Sequence, residues 1–79
     1  MTRVLVVDDE ESICWGLSQL CTQMSLDSDT ASSAERGLEL AQEKQFDLIV
    51  MDVRLPGIDG LSAIERFHAE LGNVPIIII

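Results

Sequence analysis

The sequence predicts an α/β fold of three layers, in which helices cover both faces of one parallel β-sheet, the doubly wound arrangement. Short apolar runs without alternation lie within residues 4–10 and 46–53, and such runs are typical of strands buried on both faces. Segments with helical spacing of apolar residues separate the strand-like segments. The resulting order, β-α-β-α-β-α-β, joins parallel strands through right-handed crossovers.

The first strand is predicted at residues 3–8, and an amphipathic helix follows from Glu11 to about Met24. Apolar residues recur in this helix at spacings of four, three and four, which predicts one apolar stripe. The stripe consists of Ile13, Leu17, Leu20 and Met24.

Residues 25–31 are predicted to form a weak edge strand, because Leu26 is their one large apolar side chain. Ser32 followed by Glu35 is the pattern of a capping box at the start of a second helix, which continues to about Lys44.

The next strand is predicted at residues 46–53, followed by a loop rich in Pro and Gly at residues 54–60. A third helix then runs from about Leu61 to Leu71, and Gly72 ends it. A last strand begins at residues 76–79. The residues of the third helix predicted to face inward are Leu61, Ile64, Phe67 and Leu71.

Carboxylates follow two of the predicted strands directly. Asp8 and Asp9 end the first apolar run, and Asp52 ends the run at residues 46–53. If these strands are parallel neighbours, the three side chains converge at the carboxyl edge of the sheet, where open α/β sheets place ligands. They would repel one another unless a cation lay among them, which favours a metal site. For Asp8 and Asp9 alone, a role as helix caps or loop starters remains an alternative.

The composition describes one small domain over residues 1–79. Hydrophobic residues make up 47% of the chain, which is enough for a core, and the formal net charge is -9. This acidic balance disfavours direct binding to nucleic acid or an anionic membrane. Acidic helix faces that keep the protein soluble would explain most of the excess.

Cys14 and Cys21 lie two helical turns apart, too far for a disulfide, and have neither CxxC spacing nor a zinc-ligand partner. Reduced cysteines, no signal-peptide pattern and a final apolar run too short to cross a bilayer lead us to expect a cytoplasmic protein.

Taken together, the segments VLVVDDE, TASSAE, FDLIVMDVRLPGIDG and VPIIII resemble the receiver domains of two-component response regulators. The resemblance covers the whole chain and implies a flavodoxin-like fold. The segments SICWGL and DVRLPGIDGL are similar to receivers of the sigma-54-activating, enhancer-binding type, whose effector is an ATPase with a DNA-binding domain.

The resemblance implies a role for each acidic residue. Asp52 matches the aspartate that accepts a phosphoryl group from a histidine kinase. Asp9, Asp52 and the backbone carbonyl of Arg54 would bind Mg²⁺ directly, and Asp8 would bind it mostly through water. The residue types suit that chemistry, because Mg²⁺ prefers a few carboxylate oxygens and retains water.

Four further residues have expected roles. Pro56 and Gly60 would shape the loop that presents the Arg54 carbonyl. The Arg54 side chain either tunes dephosphorylation or faces solvent. His68 is expected to be an ordinary helix residue, since its position lies away from the strand ends.

A complete receiver has five strands and five helices, so the chain is expected to be a truncated receiver with at most four of five βα units. The switch Thr or Ser, and the Lys of the fifth strand that contacts the phosphoryl group, would be absent. We therefore expect weak Mg²⁺ binding and impaired phosphorylation. Uncovered residues of the first and third strands, and the unpaired edge of residues 76–79, would favour self-association.

An enzyme of the Mg²⁺-dependent phosphatase type is the remaining alternative. Such enzymes carry a second Asp two residues after the nucleophile on the first strand, whereas Glu10 stands two residues after Asp8. We therefore do not expect a conventional enzyme.

Overall fold

The computed structural model describes residues 2–55 and 59–79, and within them the strands and helices alternate along the chain. The sheet has the strand order β2-β1-β3-β4, with all neighbours parallel. The elements are β1 (Arg3–Val7), α1 (Glu11–Gln23), β2 (Asp27–Ala31), α2 (Ala34–Glu43), β3 (Leu48–Met51), α3 (Gly60–Leu71) and β4 (Ile76–Ile78).

Helices cover both faces of this sheet. On one face α2 packs against β1, β2 and α3, and the larger core cluster forms there around Leu5, Ile49 and Phe67. On the other face α1 lies mainly against β1 and β2, where Val4 and Val6 are buried. The predicted three-layer, doubly wound, flavodoxin-like α/β fold is confirmed.

The predicted apolar stripe of α1 is wrong for three of its four members. Ile13, Leu20 and Met24 are exposed, whereas the face turned to the sheet carries Cys21, with Cys14 and Leu17 partly buried. These three side chains are exposed because α1 packs over β1 and β2. In the described residues no helix lies beside the flank of α1 that faces β3. Both cysteines are free, as predicted.

The inward face of α3 also differs from the prediction. Ala63 and Phe67 are buried and Ile64 and Leu71 are partly buried, but Leu61 is 75% exposed. Leu61 precedes Ala63 by two residues, so its side chain points about 160° away from that of Ala63 around the helix axis.

Two helix starts differ from the sequence interpretation. The N-cap of α2 is Ser33, whose hydroxyl accepts a hydrogen bond from the Arg36 amide at 3.1 Å, so the capping box beginning at Ser32 is wrong by one residue. The N-cap of α3 is Asp59, which the sequence interpretation assigned to the loop. At the other end of α3, Gly72 is the C-cap with φ of 79°, as predicted.

The expectation that residues of the first strand would be uncovered is wrong. Val4 and Val6 are buried because α1 covers them, and on the same face of β3 Leu48 and Val50 are partly buried. Exposure increases at β4, which forms one edge of the sheet in the described part of the chain.

A close approach between α2 and its neighbours gives a testable prediction. A Cβ added to Gly37 would lie 3.1 Å from Phe67 Cζ and 3.1 Å from Val7 Cγ2, both of them buried side chains. We expect Gly37→Ala to destabilise the fold, because overpacking costs about 1–3 kcal/mol and exceeds the gain in helix propensity of about 1 kcal/mol. The measurement is the free energy of unfolding in urea.

The matched control is Gly16→Ala in α1, where an added Cβ meets nothing within 4 Å. This variant should be more stable than wild type by about 0.5–1 kcal/mol. Equal effects of the two substitutions would contradict the close approach at Gly37.

Candidate functional site

The described residues bring three carboxylates together at the carboxyl ends of β1 and β3. Val7 and Met51 are paired across these two parallel strands, so the residues that follow them, Asp8 and Asp52, emerge side by side. Asp9 completes the group, and one carboxylate oxygen from each of the three aspartates lies within 4.8 Å of the others.

Backbone hydrogen bonds continue the sheet through the positions of Asp8 and Asp52. The amide of Asp8 donates to the Ala31 carbonyl at 3.0 Å, and the amide of Asp52 donates to the Val7 carbonyl at 3.0 Å. Both aspartates are therefore held by the rigid sheet rather than by a free loop, which fixes where their side chains begin.

Each of these two aspartates also accepts a hydrogen bond that shapes the turn after it. Asp8 Oδ1 accepts from the Glu10 amide at 2.9 Å, and Asp52 Oδ1 accepts from the Arg54 amide at 2.9 Å. Asp8 therefore does start a loop, which was the alternative role. In both Asp8 and Asp52 the second carboxylate oxygen, Oδ2, is not used by this turn hydrogen bond. Local turn formation and participation in the acidic cluster are compatible.

Burial makes the cluster electrostatically unfavourable by itself. Asp8 is only 4% exposed, Asp52 is half-buried and Asp9 is exposed. Carboxylates at these separations repel one another, and the burial of Asp8 weakens the screening of that repulsion by water. Carboxylate oxygens at one sheet edge are hard donors, and this donor set fits Mg²⁺.

The turn after β3 places Arg54 beside the cluster with an exposed side chain. Its backbone carbonyl as a metal ligand stays a prediction, as does any effect of its side chain on dephosphorylation. Gly60 is the first residue of α3. A Cβ added to Gly60 would lie 3.1 Å from Cγ2 of Val53, which belongs to the turn after β3. The predicted role of Pro56 lies outside the described residues.

Cys14 is a neighbour of the cluster, a position that the sequence interpretation did not assign to it. Its thiol Sγ donates to the carbonyl oxygen of Asp8 at 3.3 Å. Burial, together with the nearby charge of Asp8, raises the pKa of the Cys14 thiol above its usual value. The thiol therefore stays protonated and supports the backbone of Asp8. The spacing of seven residues between Cys14 and Cys21 was the sequence signal that both cysteines lie on the face of α1 turned to the sheet.

His68 is a partly buried residue in the last turn of α3, and its Nε2 lies 3.1 Å from the Val74 carbonyl oxygen. It joins the end of α3 to the segment that leads into β4 and is not a member of the acidic cluster. This agrees with the expectation of an ordinary helix residue.

The N-cap of α3 gives a prediction about pH. The Ser62 amide and hydroxyl donate to the Asp59 carboxylate, each at 3.0 Å, and hold the pKa of Asp59 below its usual value of 3.8. A lowered pKa in the folded state means that this contribution to stability is complete above pH 3.8 and is lost as the pH falls through the folded-state pKa. We expect the difference in urea midpoint between wild type and Asp59→Asn to become smaller as the pH is lowered from 3.8 through the folded-state pKa. A difference independent of pH would contradict this cause, since asparagine caps helices but does not titrate.

The fold and the cluster together define a class of protein: a parallel α/β domain with an acidic site where two adjacent central strands end. The family model described as the response regulator receiver domain matches residues 4–79. The chain therefore belongs to the response regulator receiver domain family, as its resemblance predicted.

Curated relatives agree with this assignment. The chain is 38% identical over 79 residues to the transcriptional regulatory protein AfsQ1 of Streptomyces coelicolor. This alignment covers 100% of this chain and 35% of that protein. It is 38% identical over 77 residues to the alkaline phosphatase synthesis transcriptional regulatory protein PhoP of Bacillus subtilis, covering 98% of this chain and 32% of that protein. The chain thus spans about a third of the length of these relatives.

Solved structures match the fold closely. The receiver domain of the hybrid histidine kinase CckA superposes with a TM-score of 0.89 at 29% identity, over 96% of this chain and 72% of that one. The chain matched in the complex of the histidine kinase ThkA with the response regulator protein TrrA has a TM-score of 0.87 at 32% identity, over 99% of this chain and 67% of that one.

No helix among residues 2–55 and 59–79 has the length and apolar character needed to span a membrane.

Proposed function

We propose that the chain is a phosphoacceptor module in which Asp52 receives a phosphoryl group from a histidine kinase. The observation that carries the proposal is the meeting of the Asp8, Asp9 and Asp52 carboxylates within 4.8 Å at the carboxyl edge of the sheet. Asp52 is half-buried and fixed at the end of a central strand, so its carboxylate can meet an incoming phosphorus atom in a defined orientation. The new bond joins its oxygen to phosphorus while the bond from phosphorus to the donor nitrogen breaks.

The acidic cluster would hold Mg²⁺ through Asp9, Asp52 and the Arg54 backbone carbonyl, with Asp8 acting through water. When bound, the ion supplies the positive charge that lets an anionic carboxylate and an anionic phosphoryl group approach each other. The Glu10 amide donates to Asp8 Oδ1 and so orients the buried Asp8 carboxylate, whose other oxygen would hold water bound to the ion. Asp52 is oriented in the same way by its bond to the Arg54 amide.

The partner in this proposal is a histidine kinase, in keeping with a matched chain from a complex of a histidine kinase with a response regulator protein. We expect the protein to act in the cytoplasm as a regulator of transcription, since two curated relatives are named transcriptional regulatory proteins. The sigma-54-activating type stays a prediction from SICWGL and DVRLPGIDGL. The chain's own charge of -9 argues against direct contact with nucleic acid.

Metal removal tests the proposed chemistry. The protein is incubated with a small acyl phosphate, and the intact mass is recorded with Mg²⁺ and with EDTA. We expect one added phosphoryl group with Mg²⁺ and a loss of about tenfold or more in labelling rate with EDTA, because the charge between the two anions is then unscreened. Fluorescence of Trp15, the only tryptophan, reports ion binding separately, since it lines the cavity shared with Asp8 and Asp9. Labelling that is equally fast in EDTA would refute the metal's role.

The expectation that this chain is labelled less efficiently than longer receivers stays a prediction. The same incubation, carried out beside a longer receiver, tests it. Equal labelling rates would contradict it.

We also infer that the 79-residue chain associates with itself through β4. Ile77, Ile78 and Ile79 are exposed large apolar residues at one edge of the sheet in the described part of the chain, and an apolar strand edge favours pairing with another chain. Sedimentation velocity over a range of concentrations should reveal a dimer that Ile77→Lys weakens. A folded monomer at all concentrations would contradict this inference.

A further inference from the structure

A cavity of about 770 Å³ opens beside the acidic cluster, between α1 and the end of β2. One wall is the first half of α1, and the other is the segment from β2 into α2. Its volume lies within the range of pockets that bind small ligands or side chains. Asp52 is not among its lining residues, so the cavity extends away from the phosphoacceptor toward the β2 edge of the sheet.

The α1 wall presents an aromatic surface that the chain's own packing does not use. Trp15 is 68% exposed, although α1 buries Cys21 and partly buries Leu17 on its opposite side. Tryptophan is enriched among the residues that dominate protein interfaces, and an exposed indole offers a large apolar and aromatic face to a partner. The exposed Trp15 is therefore the observation that points to a ligand.

The charges around Trp15 select the kind of ligand. Asp9 and Glu11 line the cavity together with Trp15 and carry negative charge, which favours a cation over the indole. Arginine combines a positive charge with a flat surface, and its guanidinium stacks on aromatic rings more readily than a lysine ammonium does.

The opposite wall carries hydrogen-bond donors. Thr30 and Ser32 contribute hydroxyl groups, and Arg36 contributes a guanidinium whose charge is partly balanced by Glu39 at 3.5 Å. Donors of this kind complement main-chain carbonyl oxygens. A polypeptide has a carbonyl on the amino side of each arginine residue, whereas free arginine has none there. We propose that the cavity receives an arginine residue of a bound polypeptide, with its guanidinium over Trp15 and its main chain toward Thr30 and Ser32.

This inference goes beyond phosphoryl transfer and does not depend on it. The probe is acetyl-arginine-methylamide, titrated into the full chain in the presence of excess Mg²⁺ and followed by amide chemical shifts in NMR. We expect saturable shifts at the Trp15 indole and at the amides of Thr30 and Ser32. Acetyl-citrulline-methylamide, an uncharged analogue, should shift them at least fivefold less at the same concentration.

Trp15→Ala and Gln19→Ala are matched variants on exposed positions of α1, and neither should disturb the fold. Trp15→Ala should remove the saturable shifts at Thr30 and Ser32, whereas Gln19→Ala, which does not line the cavity, should keep them. Shifts spread over Asp27, Asp29 and other acidic residues, or equal binding of the citrulline analogue, would overturn the proposal. Saturable binding that persists in Trp15→Ala would overturn it as well.

Discussion

Asp52→Asn is expected to abolish phosphoryl labelling of the chain in the presence of Mg²⁺ and a small acyl phosphate. Asparagine is nearly the same size as aspartate and can still accept the hydrogen bond from the Arg54 amide, so the turn after β3 should be kept. Its amide is not a carboxylate nucleophile, and no acyl phosphate can form on it. Labelling should fall by about a hundredfold or more, which is the scale expected when a nucleophile is removed. Intact-mass measurement of the incubated protein checks this.

Asp59→Asn is the matched control for Asp52→Asn. It is also an aspartate just outside a regular element, but it caps α3 and is not part of the acidic cluster. Because asparagine is comparable to aspartate as an N-cap, this variant should be labelled like wild type. Labelling that survives in Asp52→Asn, with wild-type yield, would place the phosphoacceptor at another residue.

Phe67→Ala is expected to cause the largest loss of stability among single core substitutions. Phe67 is fully buried, lies against Gly37 of α2 and belongs to the larger core cluster. Truncation of a buried phenylalanine costs about 3–5 kcal/mol, which includes the cavity it leaves. A domain of this length has roughly 4–12 kcal/mol of total stability, so the expected loss is a large fraction of it. Urea denaturation followed by circular dichroism measures the change.

Leu61→Ala on the same helix provides the comparison. Leu61 is 75% exposed, so its truncation should change the free energy of unfolding by no more than about 0.5 kcal/mol. The sequence pattern placed both residues on the inward face of α3, and it therefore predicts similar losses. A loss at Leu61 close to that at Phe67 would favour the sequence pattern over the structure.

The acidic cluster could be predicted from sequence because its location depends on few choices. Each aspartate directly follows an apolar run, and parallel neighbouring strands bring their carboxyl ends to one edge. Once β1 and β3 pair, with Val7 opposite Met51, Asp8 and Asp52 must be neighbours. The roles of these residues in phosphoryl transfer came from the resemblance to a family, and the geometry alone does not distinguish a nucleophile from a ligand.

Residues of the helices were predicted less well than strand ends. Helical spacing identified α1 and α3 as amphipathic but did not fix which flank of each stripe would be covered. The packing of α1 against β1 and β2 sets the rotation of the helix about its axis. This rotation buries Cys21 and leaves Leu20 exposed. The same applies to the Ser33 cap of α2, because Ser32 and Ser33 are chemically equivalent candidates and backbone geometry chooses between them.

The sequence by itself determined the order of strands and helices, the parallel α/β class and the three aspartates that follow β1 and β3. These depend on local periodicity and on residues adjacent to strand ends, which act over a few positions. Only the tertiary structure decided the helix rotations, the contact between Gly37 and Phe67 and the cavity beside Trp15. Each of these depends on where separate elements meet in space, because packing is set by the shapes of both partners and not by the pattern of either one.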